Sequence, residues 1–430
     1  MEKFLIEGGV PLGGEFTPSG NKNAALPLLA ACLLTDEPII LHNIPEIRDV
    51  HAMRALLQSL GVEIETIEEH SWRIHARKVR PADLDPDLCR RIRASILLAG
   101  PMMARTGNLQ LPPPGGDVIG RRRVDTHILA LTALGAQASF KRNERIFSFK
   151  ADSLQGNNIL LDEASVTATE NAIMAAVLAS GVTILRNAAS EPHIQELCLF
   201  LNSLGANIKN IGSNTLEIQG VSGLHGGEFT IGPDYLEVVS FIGAAVVTHG
   251  SIRIRNAGPE YLDMIEIVFR RLGVDWQVED QDIIVPAEQK LNVEPDLGDA
   301  IPEISVMPWP AFPTDLMSIA IVVATQSSGS VLFHDWMYPS RMFFIDKLVN
   351  MGAQIVLCDP HRCIVQGPTQ LVGEKMESPD IRAGMSLVLA ALAAQGCSVI
   401  RNVGQIDRGY EDVDLKLHQL GAKIQRQTEP

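Results

Sequence analysis

The chain has 430 residues, with 36 Lys and Arg against 51 Asp and Glu and a formal net charge of −15 at pH 7. That length gives room for two domains with full cores. The acidic balance argues against a general nucleic-acid binder and an anionic membrane surface, but leaves open an anionic small substrate held by a local arginine cluster.

In chain order, a first strand precedes Ser19, and a turn at 18–21 leads into a helix at 24–34 that is apolar nearly all round. Such a helix is buried. An amphipathic helix at 50–60 comes next, closed by Gly61 and followed by the alternating strand Val62-Glu-Ile-Glu-Thr66. The same succession then recurs. Further apolar helices are predicted at 96–104, 172–179, 238–247, 316–324 and 387–394, and further Leu-Gly or Met-Gly steps stand at Gly135, Gly205, Gly273, Gly352 and Gly421. A second marker keeps the same period: Gly107, Gly181, Gly250, Gly329 and Gly396 lead short strands, and Asn43, Asn187, Asn256 and Asn402 close strands. The interval is about 70–80 residues, the signature of an internally repeated fold.

Each repeat thus holds two helices and several strands, an α/β unit. Three repeats around their buried helices make one globular domain, so six make two. Turn-rich segments set the boundaries, giving an N-terminal domain at 22–231 and a C-terminal domain of 1–21 plus 232–430. The first strand has no repeat of its own and is expected to complete the C-terminal domain.

Unusual polar residues fall at one phase of the repeat. The apolar helices begin at Lys22 and Asn23, Arg93, 165–169, Asp234 and Glu237, Asp315, and Arg382. The outer helices begin at Arg48 and Asp49, Arg122 and Asp125, Glu191, Asp263, Arg341, and Arg408. For Asp380, Asp315, Thr314 and Ser165, helix capping is an equal alternative. The cations Lys22, Arg93 and Arg382 oppose the helix dipole unless an anion lies against the exposed N–H groups, so an anion site fed by several helix starts is the sharper reading. The segment 112–123, three prolines followed by paired glycines, Asp117 and the triplet Arg121-Arg-Arg123, reads either as a solvated hairpin or as a lid carrying a catalytic acid.

Six cysteines are scattered, which reads as reduced thiols in a cytoplasmic protein. Cys358 and Cys363 flank His361 without a second ligand pair, so no metal or other cofactor is expected. The start lacks a basic region leading into an apolar stretch, and runs such as 238–247 are too short to span a bilayer, so neither a signal peptide nor a membrane partner is expected.

Four strings, Ser19-Gly-Asn-Lys-Asn-Ala-Ala-Leu-Pro27, Ile92-Arg-Ala-Ser95, Pro310-Ala-Phe-Pro-Thr-Asp315 and Ile406-Asp-Arg-Gly-Tyr-Glu411, resemble signatures of the enolpyruvyl transferase family, specifically of UDP-N-acetylglucosamine 1-carboxyvinyltransferases. The resemblance runs nearly end to end. It implies a two-domain inside-out α/β barrel of six βαβαββ repeats, three per domain, with the active site in the cleft between. It implies transfer of the enolpyruvyl group of phosphoenolpyruvate to the 3′-hydroxyl of UDP-N-acetylglucosamine with release of phosphate, through a tetrahedral intermediate, the first committed step of peptidoglycan synthesis. On the family pattern Lys22, Arg122 and Arg408 hold the donor phosphate, and Arg382 and Arg408 lie near its carboxylate. Asp315 takes the proton of the sugar hydroxyl, and Asp117 is the loop acid. Asn23 and Arg93 border the cleft. Arg122, Val124, Asp125, His127, Ser165, Val166 and Thr167 receive the uridine and diphosphate, and Arg341 completes domain closure. A monomer is expected.

Departures from the pattern carry information. The family's usual loop acid is a cysteine; Asp117 stands there instead, which predicts resistance to fosfomycin, a drug that alkylates that cysteine. Thr167 stands where Gly is common, Tyr338-Pro-Ser-Arg341 replaces Glu-Asn-Arg, and Tyr235 replaces Arg. These bear on the acceptor more than on the donor. Two other readings remain. A 3-phosphoshikimate 1-carboxyvinyltransferase would share fold and chemistry but not the 22–27 signature. A paralogue that binds UDP-sugars without catalysis would use the altered 165–167 turn.

Overall fold

The computed structural model describes residues 2–80, 84–116, 120 and 122–428. The chain divides into a terminal unit, Met1–Ser19 with Pro233–Pro430, and a middle unit, Gly20–Asp117 with Arg122–Gly232. The division falls at 19/20 and 232/233 rather than at 21/22 and 231/232. Capping explains the shift. Asn21 belongs with the middle unit because its side chain accepts from the N–H groups of Asn23 and Ala24 at the start of the helix Lys22–Ala31, and its own N–H reaches Gly232 O at 2.8 Å.

In the middle unit each repeat turns one apolar stretch inward and one amphipathic stretch outward. The inward helices are Lys22–Ala31, Ala99–Thr106 (led by the 3-10 turn Arg93–Leu98) and Val166–Ala176; the outward helices are Arg48–Ser59, Asp125–Ala133 and Pro192–Ser203. Among the described residues three sheets accompany them. One runs Gly227–Thr230, Ile39–His42, Ser71–His75, Glu63–Glu68, and the second Asn158–Leu160, Val182–Arg186, Thr215–Gln219, Asn207–Lys209. The third holds Asn108–Leu111, Ile146–Lys150 and Gln137–Lys141. The unit's last strand, Gly227–Thr230, lies parallel to its first, Ile39–His42.

The terminal unit repeats the plan. Its inward helices are Tyr235–Val247, Met317–Ala324 (led by the turn Thr314–Leu316) and Ile381–Ala393; its outward helices are Asp263–Arg271, Ile345–Asn350 and Val413–Gln419. Strand Glu2–Glu7 lies antiparallel between Cys397–Arg401 and Lys423–Thr428, and Gly13–Phe16 lies parallel to Ser251–Ile254. The remaining sheet orders Glu303–Ser305, Gly329–His334, Arg362–Gly367 and Gln354–Asp359. A Cβ on Gly243 would stand 2.9 Å from both Ile319 Cγ2 and Leu389 Cδ2, so glycine alone lets these three apolar helices approach so closely.

The sequence period has a physical basis. Gly61, Gly135, Gly205, Gly273, Gly352 and Gly421 all adopt left-handed conformations, with φ between 80 and 104°, just past the C-cap of an outward helix. The residue after each returns its N–H to the carbonyl five positions back, as Val62 does to Leu57 at 3.1 Å. This bond pattern ends the helix and launches the strand. Asn43, Asn187, Asn256 and Asn402 also take positive φ, at strand ends. Among the described residues no helix is long and apolar enough to cross a membrane.

Candidate active site

In the terminal unit the starts of the three inward helices meet in one charged cluster. Asp234 and Asp380 cap two of them: Asp234 accepts from the N–H groups of Leu236 and Glu237, and Asp380 from those of Arg382 and Ala383. The third start differs. Thr314 and Asp315, for which capping was an alternative, turn to side chains instead. Thr314 Oγ1 donates to Asp335 Oδ2 at 2.5 Å, Arg341 Nη2 donates to Asp315 Oδ1 at 2.6 Å, and Arg382 Nε faces Asp315 Oδ2 at 3.5 Å.

Arg341 and Arg382 are buried, whereas the Asp315 side chain keeps 29% of its surface exposed. Asp315 is thus the charged member of the cluster that solvent can reach. Burial disfavours both guanidinium charges. Asp315, Asp380 and Asp335 around Arg341, and Tyr410, Asp315 and Asp234 around Arg382, outweigh it and raise both above the ordinary arginine range. Arg341 Nε and Arg382 Nη1 are buried donors with no hydrogen-bond acceptor among the described residues. Arg382 also lies over the Tyr410 ring, 5.5 Å from its centroid. Arg408, ending the turn Val403–Arg408, donates to Gln405 Oε1 at 3.1 Å.

In the middle unit Lys22 Nζ lies 2.8 Å from Asp49 Oδ2, with both side chains almost fully buried. The anion that the dipole argument requires at this helix start is therefore, in part, the chain's own carboxylate, brought by the outward helix Arg48–Ser59. Asn23 sits half-buried in the same first turn. The helix Lys22–Ala31 packs on the turn Arg93–Leu98. Arg93 Nη2 donates to Arg123 O at 2.7 Å. A Cβ on Gly116 would lie 2.8 Å from Arg93 Cβ and 3.4 Å from Arg122 Nη1, so the end of the proline-glycine segment packs against both arginines. Asp117 lies outside the described residues.

Val124 is the N-cap residue of Asp125–Ala133, and Asp125 Oδ2 accepts from Arg123 Nε at 3.2 Å. His127, in the same first turns, is buried, and Asn171 fixes its tautomer. Asn171 Oδ1 accepts from Gly100 N–H at 2.6 Å, so its amide nitrogen must donate, to Ile96 O at 2.9 Å and to His127 Nδ1 at 2.8 Å. The ring proton therefore sits on Nε2 and is donated to Thr167 Oγ1 at 3.1 Å. Burial, with Arg93 nearby, pushes His127 down to about 3, so the ring is neutral near pH 7. Thr167 keeps its own hydroxyl proton for another acceptor at the first turn of Val166–Ala176. Ser165 occupies the N-cap position, but its side chain makes no capping bond, so capping does not explain it.

Of the residues expected to act, Asp315, Arg341 and Arg382 come together in the terminal unit, and Arg93, Arg122, His127 and 165–167 in the middle unit. Sequence reasoning missed Asn171, a polar residue inside an apolar helix, and Asp335, at the end of strand Gly329–His334. It noted Asp49 without its partner. The polarity of Asn171 was a usable signal; the pairing of Asp49 was not.

The comparisons agree with this architecture. A family profile described as EPSP synthase (3-phosphoshikimate 1-carboxyvinyltransferase) matches residues 6–417. The enolpyruvyl transferase NikO from Streptomyces tendae superposes with a TM-score of 0.89 at 24% identity, covering 100% of this chain and 99% of its own. An EPSP synthase from Acinetobacter baumannii gives 0.78 at 18% identity, covering 100% of both chains. The chain belongs to the enolpyruvyl transferase family, with its two-domain fold of six repeats. Among its curated relatives within that family is the UDP-N-acetylglucosamine 1-carboxyvinyltransferase of Treponema denticola, 54% identical and aligned over 99% of each chain. That of Bradyrhizobium diazoefficiens is also 54% identical, over 99% of this chain and 98% of its own.

Proposed function

We propose that this chain transfers the enolpyruvyl group from phosphoenolpyruvate to the 3′-hydroxyl of UDP-N-acetylglucosamine and releases phosphate, the first committed step of peptidoglycan synthesis. The observation that carries the reading is the full-length 54% identity to an enzyme of that name. The Asp315 cluster supports it chemically. A carboxylate that is open to solvent and flanked by buried arginines is suited to accept a proton beside an anionic donor.

In the addition step the sugar hydroxyl gives its proton to Asp315, its oxygen bonds to C2 of phosphoenolpyruvate, and C3 gains a proton. In the elimination step the C2–O bond to phosphate breaks and C3 gives a proton back, leaving the enol ether and phosphate. Asp117 is the acid for C3. Lys22, Arg122 and Arg408 hold the phosphate, and Arg382 with Arg408 the carboxylate; the unmatched Arg382 Nη1 supports the latter. Asn23 and Arg93 line the acceptor side, and Arg341 steadies Asp315. Val124, Asp125, His127, Ser165, Val166 and Thr167 hold the uridine and diphosphate. The protein works as a cytoplasmic monomer without a cofactor.

Phosphate release from purified protein tests this. Release should require phosphoenolpyruvate and UDP-N-acetylglucosamine together and should not occur with 3-phosphoshikimate. Tight UDP-N-acetylglucosamine binding without release would assign a binding paralogue instead.

A further inference from the structure

Asp335 is fully buried and lies outside every string that carries the family resemblance. It follows strand Gly329–His334 and opens the turn that ends at Arg341. Each of its polar groups is engaged. Its N–H donates to His361 O at 2.8 Å, and its carbonyl accepts from His361 Nδ1 at 2.7 Å, which places the ring proton on that nitrogen. Its carboxylate Oδ1 accepts from the N–H groups of Met337 and Tyr338 at 3.1 and 3.2 Å. Its Oδ2 accepts from Thr314 Oγ1 at 2.5 Å.

These carboxylate bonds reach the two sides of a single contact. Thr314 is the neighbour of Asp315 in the chain. The 337–338 turn leads to Arg341, whose N–H donates to Tyr338 O at 3.1 Å. Asp315 and Arg341 then meet at 2.6 Å. A buried carboxylate is costly unless it is hydrogen-bonded and its charge matched. Here the bonds are made and the Arg341 charge opposes the effect of burial. An apolar residue would fill the space without that cost but could tie neither side.

We infer that Asp335 is a positioning residue for the reaction: through Thr314 on one side and the 337–338 turn on the other, it holds Asp315 in register with Arg341. The inference rests on the reading of Asp315 as the base.

Thr314→Val removes the hydroxyl at nearly constant shape, and Thr314→Ser retains it. Thr314→Val should lower kcat about 10- to 100-fold, the scale of a small misplacement at a reacting group. KM for UDP-N-acetylglucosamine should stay within about twofold, and Thr314→Ser should recover kcat to within about twofold of wild type. Asp335→Leu, which fills the space but can tie neither side, should lower kcat in the same sense and carries the test if Thr314→Val does not fold. Melting temperatures separate loss of fold from loss of alignment. A crystal structure of Thr314→Val, or of Asp335→Leu, should show the Asp315–Arg341 contact broken. A kcat within about twofold of wild type in both Thr314→Val and the Asp335 variant, or an unaltered Asp315–Arg341 contact, overturns the inference. A wild-type protein that turns over neither acceptor overturns the proposed function instead, and the crystallographic result still decides this inference.

Discussion

Replacing Asp315 by asparagine keeps the size of the side chain and removes its charge, and two effects can be separated. As the base on the reacting hydroxyl, Asp315 contributes about 10²–10⁴-fold to the rate. That is about 3–5 kcal/mol of barrier. As a partner of Arg341 and Arg382 it also contributes to stability. Breaking a fully buried ion pair costs about 3–5 kcal/mol. Asp315 is 29% exposed, Arg341 keeps Asp380 and Asp335, and Arg382 keeps Asp234 and Tyr410, so the loss should be nearer about 1–2 kcal/mol. The catalytic effect therefore exceeds the structural one. Steady-state phosphate release reads kcat, calorimetric titration with UDP-N-acetylglucosamine reads acceptor affinity, and urea unfolding reads stability. We expect kcat to fall at least about 100-fold with acceptor affinity held within about threefold. Inorganic phosphate should bind more tightly to the variant, because two buried guanidinium groups lose a negative neighbour. A kcat within about tenfold of wild type, at unchanged stability, would mean that another group takes the proton.

Asp117→Cys should retain turnover and gain a covalent fosfomycin adduct, while the parent protein shows none; a mass shift on the drug-treated parent refutes the expected resistance, and near-full activity in Asp117→Ala refutes the loop-acid reading. Lys416 Nζ donates to Glu237 Oε1 at 2.6 Å and to Ser19 Oγ at 2.7 Å, and Ser19 N–H donates to Glu237 Oε2 at 2.7 Å. Lys416→Met leaves a buried carboxylate without its cation and should cost about 3–5 kcal/mol in denaturant unfolding, largely restored by adding Glu237→Gln; a loss under about 1 kcal/mol contradicts this. Burial, with Glu191 nearby, holds the Glu170 carboxyl well above its ordinary range. The unfolded chain releases that proton above about pH 4.3, so this contribution is complete below that pH and is lost as pH rises toward the folded pKa. Glu170→Gln should therefore gain stability relative to wild type as pH rises above about 5, and parallel pH curves would dismiss the assignment.

What could be read from the sequence was local. Gly61 and its five counterparts mark a left-handed C-cap, a property of one residue and its immediate neighbours, and the period followed. The apolar helices were visible for the same reason, although two proved to begin with 3-10 turns, Arg93–Leu98 and Thr314–Leu316. The site residues were legible through type and phase, but their partners were not. Lys22 looked like a cation in need of an external anion because nothing in the chain pattern brings Asp49 to it. Thr314 looked like a cap because its acceptor, Asp335, arrives from a different repeat segment. The tautomer of His127 depends on Asn171, and so on the packing of two helices, Ala99–Thr106 and Val166–Ala176.

The placement of Glu2–Glu7 has a bearing on how the protein is made. Lys3 stands opposite Arg401 and Gln427, so this strand waits for partners made much later in the chain. The middle unit, whose Gly227–Thr230 lies beside Ile39–His42, can finish its sheets while translation continues. Phe4 and Ile6, both fully buried at the end, lie on a strand whose two sheet partners come only then. A nascent chain halted before Cys397–Arg401 would leave both edges of Glu2–Glu7 unpaired and present itself to chaperones and proteases as unfinished.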